Sequence, residues 1–182
     1  MLESNQGPVL ESFPEDAPGD TQAQDEQSAS WACPVSFSAQ TGPKSDYEEL
    51  VQALHREVAD LRPWYDLGLE HRGRTAMVNF DPETVANLIA DFLFNQASNS
   101  APEHLTHGTA LRLAAHDLKV FYFEAVISRP GADIPNSRTF GHWFWNDTFA
   151  GQVLKQVQKI YKASDDHELS TTVRFFLKPM PQ

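Results

Sequence analysis

The segment Thr109–Ser128, TALRLAAHDLKVFYFEAVIS, is apolar around almost its whole circumference when it is placed on a helix. Only a narrow polar sector remains, which is typical of a helix surrounded by other elements. Arg129, Pro130 and Gly131 follow it and are expected to end it. The sequence therefore predicts a central helix that the rest of the chain covers.

Upstream of this segment, two amphipathic helices are predicted. Apolar residues recur at helical spacing from Tyr47 to Leu61, after a capping box at Ser45, and Pro63 is expected to end or kink that helix. Asp81 and Pro82 then provide an N-cap and a first helical residue for the second helix. The segment 75–80 between the two helices is expected to be a short extended piece.

Downstream, one long helix is predicted from about Arg138 to Ala163, with Ser137 as its cap. A capping box of Asp165 and Glu168 precedes a last short helix. The predicted fold is therefore all-α, a compact bundle of about five helices that occupies residues 44–182 as a single domain.

The net charge of −11 is distributed unevenly along the 182 residues. Residues 1–43 contain seven acidic residues, five prolines and no Lys or Arg, whereas the remaining 139 residues contain 14 basic and 18 acidic residues. A segment so poor in apolar residues cannot offset the entropy lost on ordering. We therefore expect residues 1–43 to be a disordered acidic tail.

Composition and motifs exclude several function classes. Nucleic acid is an improbable partner because its binding needs a basic face. No targeting signal and no apolar stretch of membrane-spanning length is present, so a cytoplasmic protein without a membrane span is expected. Gly-rich nucleotide loops and a nucleophile elbow are missing, and we predict no cofactor. Glu103, His104 and His107 lie close together in a polar loop and are interpreted as surface residues, so no metal site is predicted.

Aromatic residues are crowded into the ten positions from Phe140 to Phe149. One helix face cannot bury five aromatic rings against a single neighbour, so they form either an aromatic core or an apolar small-molecule pocket. For the pocket interpretation, the predicted walls are Trp143, Phe144, Phe140, Tyr122 and Phe121.

Five polar residues are predicted to lie inside or beside apolar helix faces: Asp117, Glu124, His142, Asn146 and Asp147. A carboxylate in such surroundings either finds a partner or takes up a proton, and a protonated carboxyl can act as a general acid. Structural pairing with a nearby Arg or Lys is the alternative. As catalytic candidates we take Asp147 or Glu124 as the acid, His142 or Asn146 as orienting donors, and Asp117 as a further carboxylate.

From Leu61 onward the chain resembles a set of small helical proteins, largely uncharacterised, from actinobacteria and filamentous fungi. The resemblance is carried by the motifs Leu61-Arg62-Pro63-Trp64-Tyr65, Arg72-Gly73-Arg74-Thr75, Asp117-Leu118-Lys119 through Tyr122 and Glu124-Ala125, Trp143-Phe144-Trp145 followed by Thr148 and Gly151, and Ser164-Asp165-Asp166. It implies that such proteins can belong to natural-product pathways. It assigns no role to any residue.

The resulting hypothesis is a cofactor-independent biosynthetic enzyme. It would cyclise, isomerise or dehydrate an apolar, terpenoid- or polyketide-like substrate. The alternatives are a small-molecule carrier and a non-enzymatic interaction module, which would hold a protein partner or a second copy through exposed aromatic residues. The exposure of Trp143 and Trp145 distinguishes a concave pocket from a docking surface.

Overall fold

The computed structural model describes residues 47–95, 101–132 and 134–177. Within these ranges the secondary structure is helical and no strand occurs, so the all-α prediction is confirmed. The helices are α1 (Tyr47–Arg72), α2 (Pro82–Leu93), α3 (His107–Ile127), α4 (Ser137–Asp147), α5 (Phe149–Tyr161) and α6 (His167–Phe175). The predicted tail, residues 1–43, and the predicted cap at Ser45 lie outside the described residues.

Helix α3 occupies the centre of the bundle, as its apolar circumference predicts. It packs against α1, α2, α4 and α6. Leu111, Leu118, Phe121 and Tyr122 are completely buried. Helix α3 is therefore the central element, in contact with at least four of the other five helices.

Helix α1 continues past Pro63, so of the two outcomes predicted there, an end or a kink, the end is wrong. Pro63 itself is exposed, whereas Leu61 and Tyr65 on either side of it are buried. A proline inside a helix costs about 3 kcal/mol, and burying a large side chain contributes roughly 1.5–3 kcal/mol. Tertiary packing of the residues around Pro63 offsets its local cost.

The long helix predicted from about 138 to 163 is two helices, because Thr148 interrupts it. The backbone of Thr148 is extended (φ −114°, ψ 153°). Its hydroxyl donates to the carbonyl of Phe144 at 2.6 Å and accepts from the N–H of Gly151 at 3.0 Å. One side chain thus ends α4 and begins α5. The helix faces predicted for the residues before Thr148 assumed one continuous helix, so they no longer apply.

The remaining caps agree only in part with the sequence predictions. Asp81 caps α2 by accepting from two backbone N–H groups, as predicted. The cap of α4 is Asn136 rather than Ser137, and the cap of α6 is Asp166 rather than Asp165. The segment after α1 is an irregular loop (73–81), not an extended piece. The caps of α4 and α6 each lie one position from the predicted one, because Asn and Asp are as favourable at an N-cap as Ser.

Helices α4 and α5 approach each other closely at Gly151. A Cβ atom at this position would lie 2.1 Å from the carbonyl oxygen of Phe144 and 2.8 Å from the Cα of Trp145. Both are backbone atoms, so no side-chain rotation can make room. A glycine is therefore required where α5 turns back along α4.

Candidate functional site

A cavity of about 800 Å³ lies between α3, α4 and the loop 73–81. Its volume falls within the range of typical small-molecule sites. The apolar lining side chains are those of Ala76, Val120, Phe123, Ile127, Phe140, Phe144 and Trp145. The polar lining side chains are Arg72, Arg74, Thr75, His116, Lys119, Glu124 and Ser137.

Helical spacing on α3 and α4 positions the aromatic walls. On α3 the lining positions from 116 to 127 follow one face. On α4, Phe140 and Phe144 are four residues apart, and their rings stack with 5.9 Å between centroids. Phe123 of α3 meets Phe140 edge to face at 5.2 Å. The walls are thus fixed by ring contacts between two helices, which suits a preformed site.

Glu124, a predicted general acid, lines the cavity but is already hydrogen-bonded. Its carboxylate accepts from the hydroxyl of Thr75 at 2.6 Å and from the N–H of Ala76 at 2.9 Å. A guanidinium nitrogen of Arg72 lies 3.6 Å away. These groups attach the loop 73–81 to α3, so the pairing alternative describes the observed contacts of Glu124.

Asp117 binds the same loop at Asn79 and Phe80. Its Oδ2 accepts from the N–H groups of Asn79 and Phe80 at 2.8 and 2.9 Å. Its Oδ1 accepts from the side-chain amide of Asn79 at 3.1 Å and lies 3.2 Å from Nδ1 of His116. The side chain is fully buried and does not line the cavity. The two carboxylates share a face of α3, as the sequence predicts, and that face binds a loop.

Substituting Asp117 tests this attachment. We expect Asp117→Asn to lower the free energy of unfolding by about 2 kcal/mol, because an amide keeps one acceptor but sets its NH₂ against the donor of Asn79. Urea unfolding followed by circular dichroism measures the change. The control is Asp66→Asn, because the Asp66 carboxylate pairs with Arg62 on the exposed face of α1 and should contribute little. Equal stability losses in the two variants would contradict the assignment.

The catalytic candidates on α4 do not reach the cavity. His142, Asn146 and Asp147 are exposed and are not among its lining residues. Asn146 accepts a hydrogen bond from Lys155 at 3.0 Å. The prediction placed Asn146 and Asp147 among apolar residues of a continuous helix, but those residues belong to α5, beyond the break at Thr148. A role in this cavity is therefore not supported for the three.

Two of the five predicted wall residues, Phe140 and Phe144, line the cavity. Phe121 and Tyr122 lie on the opposite side of α3 in the core, where Phe121 packs against Tyr65 with 5.2 Å between centroids. Trp143 points back towards Tyr122, with 6.1 Å between ring centroids. These three are buried outside the lining. Phe121 and Tyr122 lie on the core side of α3, and the direction of α4, which the sequence pattern does not specify, places Trp143 beside Tyr122.

Trp145 joins the cavity wall together with a lysine that sequence reasoning did not select. The ammonium of Lys119 lies 4.9 Å from the ring centre of Trp145 and donates to the carbonyl of Phe176 at 3.3 Å. Burial lowers the pKa of Lys119 below its usual value. The sequence contained a usable indication that Lys119 shares a helix face with apolar residues, because it stands next to Val120 and four residues before Phe123.

Sequence reasoning also missed Glu57, which lies outside the cavity. One carboxylate oxygen accepts from the hydroxyl of Tyr122 at 2.6 Å and from the N–H groups of Phe149 and Ala150 at 2.9 and 3.2 Å. The other oxygen is buried and has no hydrogen-bond partner among the described residues. Burial raises the pKa of Glu57 to about 7. Its place in the apolar stripe of α1, three residues after Leu54, was a usable signal.

Among the residues that the structure describes, no three His, Cys, Asp or Glu side chains are grouped closely enough to hold a metal ion. In the same part of the chain, none of the helices combines the length and apolar character needed to span a bilayer. Comparison with known protein families, with curated proteins and with solved structures found no match of any of the three kinds.

Proposed function

We propose that this protein binds an apolar small molecule in the cavity between α3 and α4 and converts it without a cofactor. The observation that carries the proposal is the cavity itself, about 800 Å³ with seven apolar side chains on its walls. A terpenoid- or polyketide-like intermediate fits such walls, because cyclisation, isomerisation and dehydration depend on a fixed substrate conformation and few polar groups.

The proton that such a reaction needs has three possible carriers in the lining. Glu124 is occupied by Thr75, Ala76 and Arg72, which makes it a weak acid candidate. His116 and Lys119 also line the cavity and can carry a proton. These side chains replace the exposed residues of α4 as the first candidates for acid–base chemistry.

Carriage without conversion is a second candidate, and the contacts of Glu124 favour it. Both carboxylate oxygens of Glu124 already accept hydrogen bonds from the loop 73–81, so neither is left unpaired to act on a ligand. The third alternative, protein docking through the aromatic cluster, loses support because Trp143 and Trp145 are only 7% and 5% exposed. Enzyme and carrier make the same first prediction, namely that the cavity is occupied by an apolar ligand.

Filling the cavity should abolish binding. We expect the neutral fluorescent probe N-phenyl-1-naphthylamine to bind the full chain, and Val120→Trp to weaken that binding at least ~tenfold, because the indole takes up space that the probe needs. The control is Val78→Trp, at a position that is 76% exposed. Fluorescence titration measures both, with circular dichroism to verify folding. Absence of probe binding, or equal binding by the two variants, would contradict the proposal.

Conversion is then tested separately from binding. The full chain is incubated with linear terpenoid alcohols and β-keto esters, and products are followed by mass spectrometry. A product formed by the wild type and lost in Val120→Trp supports an enzyme. Tight binding without any product supports a carrier.

A further inference from the structure

The charged side chains that line the cavity are mostly positive, whereas the net charge of the whole chain is negative. Three cationic side chains and a single carboxylate line it: Arg72, Arg74, Lys119 and Glu124. The whole chain has a net charge of −11. A positively charged, largely apolar concavity in an acidic protein favours ligands of one sign.

Within the described ranges, two of these cations have no carboxylate partner. Arg72 lies 3.6 Å from Glu124, so that this pair accounts for one cation and for the carboxylate. Arg74 is exposed and has no ion pair among the described residues. Lys119 has only neutral contacts in the same part of the chain, with the carbonyl of Phe176 and the ring of Trp145. An anion in the cavity would therefore find Arg74 and Lys119 available.

Lys119 also has an energetic reason to accept an anion. Its side chain is partly buried, and burial has removed water from its ammonium. A partly desolvated cation without a counter-charge is costly, and a negatively charged ligand offsets that cost. The backbone carbonyl of Phe176 satisfies one of three donors, so donors remain for a ligand.

We propose that the ligand is an amphipathic anion, with an apolar body along Phe123, Phe140 and Phe144 and an acidic group, such as a carboxylate, that Lys119 and Arg74 attract. This inference rests on the proposed function of the cavity and adds the chemical class of its ligand. An acid that carries a polyene or polyketide-like chain meets both requirements.

A matched pair of probes tests the inference. 8-Anilinonaphthalene-1-sulfonate and N-phenyl-1-naphthylamine share one aromatic body and differ by a sulfonate group. We expect the full chain to bind the sulfonate probe about tenfold more tightly, as one charge-assisted contact provides. Arg74→Gln and Lys119→Gln should each remove most of that difference and change the affinity for the neutral probe less than about twofold. Added salt should weaken only the sulfonate probe.

Exposed cations elsewhere provide the controls. Arg56→Gln on α1 and Lys159→Gln on α5 remove charges of the same kind from exposed positions outside the cavity. They should leave the affinities for both probes unchanged. Decanoate and decanol, used as competitors, repeat the comparison with a carboxylate, and decanoate should displace either probe at the lower concentration.

The outcomes separate this inference from the proposed function. If neither probe binds, the cavity is not a ligand site and both proposals fail. If the neutral probe binds as tightly as the sulfonate probe, or if the control variants weaken the sulfonate probe as much as Arg74→Gln, the anion preference is wrong and the apolar site stands. If Lys119→Gln does not fold, the Arg74→Gln variant alone tests the anion preference, because Arg74 is exposed.

Discussion

Replacing Gly151 with Ala is expected to destabilise the fold by about 3 kcal/mol. Helix propensity alone favours Ala over Gly by about 1 kcal/mol inside a helix. The new Cβ would, however, lie 2.1 Å from the carbonyl oxygen of Phe144 and 2.8 Å from the Cα of Trp145. Because these are backbone atoms, α4 has to move away from α5, and its ring contacts with α3 are lost with it.

Urea unfolding monitored by tryptophan fluorescence measures this effect. The control is Gly108→Ala, where the three atoms nearest to the added Cβ all belong to the exposed side chain of Glu168, with Cγ at 2.6 Å and Cδ and Oε1 at 2.8 Å. That side chain can rotate away, so we expect a change of at most about 1 kcal/mol. If Gly151→Ala were as stable as Gly108→Ala, the close approach of α4 and α5 would be wrong.

Glu57 is expected to make the stability of the protein depend on pH. Its pKa rises from 4.5, the ordinary value, to about 7 in the folded state, mainly because burial penalises the charged carboxylate. A raised pKa means that the folded protein binds this proton more tightly than the unfolded chain. The stabilisation is complete below pH 4.5 and is lost as the pH rises through about 7. At 1.36 kcal/mol per unit, the loss amounts to about 3 kcal/mol.

The Glu57→Gln variant isolates this contribution, because an amide does not titrate. We expect the wild type to lose about 3 kcal/mol relative to the variant between pH 4.5 and about 7, measured by urea unfolding at several pH values. Glu70→Gln, at an exposed position on the same helix, is the control and should follow the wild type. Tyr122→Phe removes a hydrogen bond that lowers the pKa of Glu57, so it should shift the transition to higher pH. Parallel curves for wild type and Glu57→Gln would refute the assignment.

The sequence is sufficient to predict the helical fold because its strongest signals are local. The apolar circumference of α3 and the Asp81-Pro82 start of α2 depend only on neighbouring residues. The helices depart from the local sequence pattern at two places, for two different reasons. At Pro63 the packing of Leu61 and Tyr65 outweighs a local breaker, and at Thr148 a hydroxyl that bonds in both directions interrupts a continuous apolar pattern.

The site is less accessible to sequence reasoning, since it depends on how the helices are oriented. Asp117 and Glu124 could be placed on one face of α3, but the loop that covers this face could not. Phe140 and Trp143 stand close together in the sequence, and only the direction of α4 decides that the first lines the cavity and the second does not. Glu57 shows a different limit, because its partners are 65 and more residues away.

The central helix has a consequence for how this protein can change over time. Along α3, Asp117 and Glu124 hold a loop, Lys119 and Val120 line the cavity, and the residues between them form the core. A substitution there alters several contacts at once and is seldom neutral. Phe140 and Arg74 line the cavity from α4 and the loop 73–81, which have fewer contacts with other elements than α3 has. New ligand preferences should therefore arise through α4 and the loop, while α3 diverges slowly.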